Sequence, residues 1–361
     1  MMPFIIFFKN LFILYFYYNK IINFIKVGTN NSISERACKN MNLTIIYHLN
    51  KFSKTLPDSF KSLINQSSDD FELILVADDT SKAVQNHFAQ FDLNKAFKKI
   101  RYIKIAQKLG HSYCNNLAMK YVETPYVYFS SNNVIYNKDF VKTINETVEK
   151  ENFDVILFNT KDKSKFSPNV HTEESEVIID NLYVVALGTT TDKVISTKLL
   201  TKNNIMFENF HHYTSLYTLK VCKYMKKIKN IDKQLLQVFP QSTINYNIYD
   251  IINQNNHILA DRNSKFYKAN KDDIDYIVIR NCLYTFLARF SVENKWQKNN
   301  EFKRAVNYAK DWLKLCLPDW RNNKILNSPN NLDNRKVINY LSHYHKTFGS
   351  VLDELKKFVK K

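Results

Sequence analysis

The chain has 361 residues but only four glycines, Gly28, Gly110, Gly188 and Gly349, too far apart to form a glycine-rich phosphate loop. P-loops and dinucleotide fingerprints need clustered glycines so that backbone amides can approach phosphate oxygens, which argues against NTPase, kinase and NAD-dependent dehydrogenase chemistry. The net charge of +18, from 52 Lys+Arg against 34 Asp+Glu, suits an anionic partner, yet the lysines are dispersed as AT-rich codon usage would leave them.

Apolar residues make up 45% and aromatic residues 14% of the chain, ample for a packed core. The five cysteines, Cys38, Cys114, Cys222, Cys282 and Cys316, are widely spaced and contain no CxxC pair. This pattern fits reduced cytosolic thiols better than a disulfide framework or a local zinc motif.

In chain order, residues 3–27 are apolar and aromatic, interrupted by Lys9, Lys20 and Lys26. The longest uncharged run, 10–19, is about half of what spans a bilayer. Three readings fit residues 1–40: a weak membrane anchor, an interfacial helix, or an upstream extension outside the working protein. Residues 28–40 read as a polar linker, and Met41 is a natural start.

From 43 to 159, strands alternate with helices. Strands are expected at 43–48, 71–77, 100–105, 126–130 and 153–159. Leu56-Pro57 opens a helix with Phe60, Leu63 and Ile64 on its apolar face. A second helix, 81–91, places Val84, His87, Phe88 and Phe91 on one side. Helices follow at 112–122, with Ser112 near the N-cap, and at 139–150. The alternation predicts an α/β fold, a mainly parallel sheet flanked by helices. Ligands of such sheets sit beyond the carboxyl ends of the strands, here 47–50, 77–81, 107–110 and 130–133. Residues 160–195 are loop-rich, and the chain after Phe210 reads as mostly helical. Helices are expected at 275–290 and at 303–317, the latter stopped by Pro318. Residues 335–361 carry an amphipathic stripe ending in Lys356, Lys357, Lys360 and Lys361 beside Phe358 and Val359. Such a stripe suits core packing or an anionic membrane surface.

Several strand-end segments form an ordered set. Ile45-Ile46-Tyr47-His48-Leu49-Asn50 is similar to I-I-P-V-Y-N, with Asn50 kept and the proline lost. Ser62-Leu63-Ile64-Asn65-Gln66 matches S-L-x-x-Q, and the following Asp70-Phe71-Glu72 run looks like D-F-E-I-I-V-V. Asp78-Asp79-Thr80-Ser81 stands for D-D-G-S. The 110–116 segment is similar to G-x-S-x-A-R-N, keeping Gly110, Ser112 and Asn116. Residues 192–207 resemble N-K-x-x-x-x-x-L-L followed by N-I-x-F. Together these resemble the family 2 glycosyltransferases of the GT-A fold, over 43–217.

The resemblance implies a GT-A-like domain at 41–217 and a helical C-terminal region at 218–361. It implies an inverting transferase that takes a nucleotide-sugar donor, of the UDP-sugar kind, and a lipid or polysaccharide acceptor. Asp79, supported by Asp78, falls where the family binds the nucleobase; a carboxylate there can accept the N3–H of uracil. The competing reading of the pair is a turn leading into a helix. Tyr47, Asn50, Gly110 and Asn116 are further substrate-binding candidates, although Asn116 equally suits a satisfied polar position within its helix. The family's D-x-D, which holds Mg²⁺ or Mn²⁺ against the donor diphosphate, is replaced by Ser131 and Asn133. Neutral oxygens hold a hard dication poorly, so no tight metal site is expected. His212, next to His211, stands near the expected catalytic acid pair and is the candidate general base, with Glu208 second. Such an enzyme would be cytoplasmic, peripheral at the inner face of the membrane. The rival reading is a catalytically degenerate relative that acts as a binding or scaffolding subunit. No nucleic-acid recognition motif appears.

Overall fold

Every residue of β2 (Leu43–Leu49) is buried. A strand reaches that state when strands flank it and both sheet faces are covered. In the computed structural model β2 pairs in parallel with β3 (Glu72–Ala77) on one side and β5 (Tyr126–Ser131) on the other. The structure describes residues 25–29, 41–49, 53–78, 82–105, 108–162, 182, 186, 190–208, 214–239, 248–287, 290 and 299–328. They fall into two units, Met1–Lys150 and Glu151–Lys361.

In the first unit the strand order is β1-β4-β3-β2-β5. β4 (Lys99–Ile105) is parallel to β3, and β1 (Ile25–Thr29) adds to its far edge antiparallel. Gly28 and Thr29, read from the sequence as the start of a linker, thus lie in a strand opposite Tyr102 and Arg101. Pairing satisfies backbone groups that the edge of β4 would otherwise present. The expected strands of this unit match the observed ones to within a residue or so, and a short β6 (Val134–Tyr136) follows.

Helix α1 (Leu56–Ile64) carries Pro57 in its first turn, where the missing N–H is harmless, and buries Leu56, Ser59, Phe60 and Leu63. Phe60 is fully buried. Its ring meets Tyr47 at 5.9 Å, Phe88 at 4.7 Å, Phe91 at 5.3 Å and Phe97 at 5.7 Å, centroid to centroid. Phe88 ends α2 (Lys82–Phe88), and Phe97 follows the single turn of α3 (Leu93–Ala96). One ring therefore joins the sheet to three segments. At the amino end of β3, the buried Glu72 faces Lys99 and Arg101, each at 3.3 Å, and accepts a hydrogen bond from Thr44. Burial raises its pKa, with the two cations opposing. The opposite end of the sheet holds a different polar cluster, described below. Helices α4 (His111–Met119) and α5 (Phe140–Lys150) complete this unit.

The second unit holds β7 (Val155–Asp162), antiparallel to β8 (Lys193–Ser196) and parallel to β9 (Ile228–Val238). The eleven-residue β9 revises the mostly helical reading of this region. Its central Asp232, Lys233 and Gln234 are exposed, so the segment shows no strict alternation, and its pairing shifts register beside Phe158 and Asn159. Helices α6 (Thr197–Lys202), α7 (Thr214–Tyr224), α8 (Asp250–Ala260) and α9 (Lys265–Ala269) follow. The expected 275–290 helix is α10 (Lys271–Arg280) continued by a π-helical segment, Asn281–Phe286. There Asn281 accepts from Ser215 at 3.3 Å and donates to Asn255 at 3.0 Å, a buried polar link to α7 and α8. Helix α11 (Asn299–Cys316) ends before Pro318 as expected. Phe207 and Tyr217 stack face to face at 3.7 Å. No described helix is long and apolar enough to cross a membrane. The stripe at 335–361 lies outside the described residues.

Truncating Phe60 removes the ring common to these contacts. Phe60→Ala is expected to destabilise the protein by about 3–5 kcal/mol, read from the denaturant midpoint at unchanged m-value. A loss below 1 kcal/mol would show that the cluster closes around the gap.

Candidate functional site

The chain runs from β2 outward through β3 and β4, then returns to place β5 on the other side of β2. The order reverses between β2 and β5, and the carboxyl ends of strands at such a reversal are the usual ligand position. In register, His48 lies beside Ser131 on one flank and Val76 on the other.

Asp78, just past β3, is buried. Its Oδ1 lies 3.0 Å from His48 Nε2, and its Oδ2 accepts the Gly110 N–H at 2.9 Å. The Cys114 thiol also bonds to it. Gly110 caps α4 with φ 83 and ψ 167, a conformation open to glycine and strained for other residues. The helix therefore begins at His111, and Gly110 rather than Ser112 is the N-cap. Only this backbone turn brings the Gly110 amide onto the carboxylate.

Two imidazoles extend the cluster. His48 and His111 stack with centroids 4.9 Å apart, and their Nδ1 atoms lie 2.9 Å from each other. Asn115 Nδ2 approaches His111 Nε2 at 3.4 Å. Burial pushes the Asp78 pKa up, but the His48 bond and charge, the Gly110 amide and the Cys114 thiol outweigh it, and the net shift is downward. Asp78 is thus an anion at neutral pH and only accepts. One tautomer assignment satisfies the whole chain of hydrogen bonds. Asn115 donates to His111 Nε2, His111 Nδ1–H donates to His48 Nδ1, and His48 Nε2–H donates to Asp78. Burial, aided by the nearby His48 and opposed by Asp78, holds His111 down to about 3. Burial and the Asp78 charge push the Cys114 thiol up, so it stays protonated.

At the end of β5, Ser131 Oγ donates to Asn133 Oδ1. The turn between β5 and β6 is tied to the start of α1, where Thr55 Oγ1 donates to the Asn132 carbonyl at 2.8 Å. Ser131 and Asn133 offer two neutral oxygens already bonded to each other. They do not fit a Mg²⁺ or Mn²⁺ ion, which is held mainly by carboxylate charge.

The sequence-derived candidates divide as follows. Asp78, Gly110, Ser131 and Asn133 come together at this end of the sheet. Tyr47 does not: its side chain is fully buried, its hydroxyl is 2.9 Å from Ser59 Oγ, and its ring packs on Phe60. Successive strand side chains point to opposite faces, so His48 rather than Tyr47 faces Asp78. Asn116 is half-buried on α4. Glu208 pairs with Lys220. Asn50, Asp79 and the base candidate His212 lie outside the described residues. The sequence reading missed His48, His111 and Cys114. A signal was present: His48 and Cys114 stand where I-I-P-V-Y-N and G-x-S-x-A-R-N carry valine and alanine.

The fold and this strand-end site define an α/β protein of the GT-A type. Residues 44–207 match the model of glycosyl transferase family 2, so this segment of the chain is a domain of that family. Among solved structures it is similar to Staphylococcus aureus TarS 1–349 in complex with UDP-GlcNAc, at 17% identity and TM-score 0.62, covering 89% of this chain and 91% of that one. It is also similar to the same protein in complex with UDP, at 18% identity and TM-score 0.58, covering 89% and 90%. No curated protein matches the sequence.

Two outcomes follow. Gly110→Ala is expected to destabilise the protein by about 1–3 kcal/mol; an unchanged unfolding midpoint would mean the capping turn tolerates a side chain. Between the ordinary histidine value of 6.5 and about 3, the unfolded chain binds a proton at His111 that the folded chain refuses. Stability therefore falls as pH falls through that window. The lowered Asp78 pKa acts in the same direction only at its acid end. His111→Leu should flatten the slope of unfolding free energy against pH by up to about 1.4 kcal/mol per unit. Parallel slopes for the two proteins would contradict this assignment.

Proposed function

We propose that the chain transfers a sugar from a nucleotide-sugar donor to a lipid or polysaccharide acceptor, with inversion at the anomeric carbon. The observation that carries this reading is the polar constellation at the carboxyl ends of β2, β3 and β5 within a family 2 domain. Asp79, next to the fixed Asp78, accepts the N3–H of the base. Asn50 and the strand-end backbone at Tyr47 contact base and ribose, and Gly110 and Asn116 line the same site. Asp78 acts as a positioning residue, because its carboxylate is already engaged by His48, Gly110 and Cys114. Ser131 and Asn133 face the diphosphate. His212 removes the acceptor hydroxyl proton as that oxygen attacks the anomeric carbon, and the nucleoside diphosphate departs. No step is routed through a divalent ion; lysines supply the positive charge near the phosphates. The basic stripe at 335–361 holds this divergent member at the inner face of the membrane, where a glycolipid acceptor lies.

A second reading is favoured by one observation: Ser131 and Asn133 are bonded to each other. In it, the domain binds a nucleotide sugar without turning it over and serves as a scaffolding subunit.

UDP-GlcNAc and UDP, the ligands of the TarS structures, are the first ligands to test. A ligand at a hundred times its Kd stabilises the folded state by about 2.7 kcal/mol, so binding should raise the Tm measurably. Asp79→Ala should abolish that shift while leaving the unliganded Tm close to wild type. Transfer assays with Mg²⁺, Mn²⁺ and EDTA then separate the readings. Binding without turnover selects the scaffold; neither binding nor turnover by any nucleotide sugar removes both.

A further inference from the structure

The cluster around Asp78 has a second property. His48, Asp78 and Cys114 each turn a ligand atom inward, and these atoms all lie within 4.8 Å of one another. All three residues are buried. They come from three segments, the end of β2, the end of β3 and the first turn of α4, so no local spacing motif announces them. We propose that His48, Asp78 and Cys114 form a zinc site that fastens the amino end of α4 to the ends of β2 and β3.

The donor set sets the class of metal. A thiolate and an imidazole select a borderline ion such as Zn²⁺ over Mg²⁺ or Mn²⁺, which prefer oxygen alone. One carboxylate and one thiolate balance the charge of the dication. Three protein ligands leave a fourth position for water or another donor. The groups behind the ligands suit the role. A metal-bound histidine needs an acceptor for its other N–H, and His111 Nδ1 lies 2.9 Å from His48 Nδ1. Asp78 keeps one oxygen on the Gly110 amide while the other faces His48.

The protons can be followed through binding. Cys114 releases its S–H proton to solvent and ligates as thiolate. His48 gives up its Nε2 proton and takes one at Nδ1 from His111 Nδ1. His111 takes a proton at Nε2, so both imidazoles stay neutral and the net release is one proton. The hydrogen-bond relay then runs the other way, from His48 to His111 to Asn115. Asn115 can receive it by turning its amide; its Oδ1 is buried and lacks a hydrogen-bond partner among the described residues.

The test uses the full chain, purified without chelator, with metal content measured by mass spectrometry and cobalt substituted for zinc. About one zinc per chain is expected, as for a site of this ligand number. The cobalt form should show a thiolate-to-cobalt charge-transfer band. Cys114→Ala restores the alanine of the G-x-S-x-A-R-N pattern and should lose both metal and band. Chelation of the wild type should lower its Tm, with recovery on adding zinc. Wild-type protein that retains no zinc after loading and dialysis, or whose cobalt form lacks the band, overturns the proposal. A Cys114→Ala protein that keeps the band does so as well. If that variant fails to fold, the wild-type measurements still decide. None of these readouts depends on nucleotide-sugar binding, so this site and the proposed activity fail separately.

Discussion

The carboxylate of Asp78 holds the ligand end of the first unit together. It lies just past β3 and draws donors from two other segments: the His48 imidazole from β2, and the Gly110 amide and Cys114 thiol from α4. Hydrogen bonds to a charged group contribute about 1.5–3 kcal/mol each. The donors also overcome the penalty of burying the anion, since the net pKa shift is downward. Without those donors a buried carboxylate would stay protonated or draw in water.

The two ends of the same sheet use buried charge differently. At the amino end Glu72 faces Lys99 and Arg101, and its pKa still rises. Two cations there do not cancel the desolvation of the acid. At the carboxyl end Asp78 has short-range donors, the His48 imidazole first among them, and its pKa falls. Direct hydrogen bonds to both Asp78 oxygens, at 3.0 and 2.9 Å, offset the burial of this anion. The first arrangement clamps strand edges. The second gathers polar groups at the carboxyl ends of the strands.

Much of the first unit was legible in the sequence because β2, β3 and β5 are largely apolar runs, β4 sets isoleucines among basic residues, and its helices have apolar faces. The β2, β3, β4 and β5 boundaries follow from composition alone. β9 was not legible, since its exposed Asp232, Lys233 and Gln234 interrupt any period-two pattern. The N-cap of α4 lies two residues before the serine that the sequence suggested, because a serine is the stronger cap by propensity while the backbone turn needed glycine at 110. The site was half legible. Motif order led to Asp78, Gly110, Ser131 and Asn133. It also led to Tyr47, whose side chain lies in the core. His48 meets His111 and Cys114 of α4 only through tertiary packing, at a separation in sequence that no local pattern encodes.

The stack of Phe207 on Tyr217 bears on where the domain ends. The family match stops at residue 207, and the ring that covers its last residue belongs to α7, beyond that limit. The match also begins in one unit and finishes in the other. A fragment trimmed to the family limits would leave Phe207 without the ring that stacks on it. Helix α7 thus packs on the last matched residue, and a piece cut at the homology boundary loses that packing.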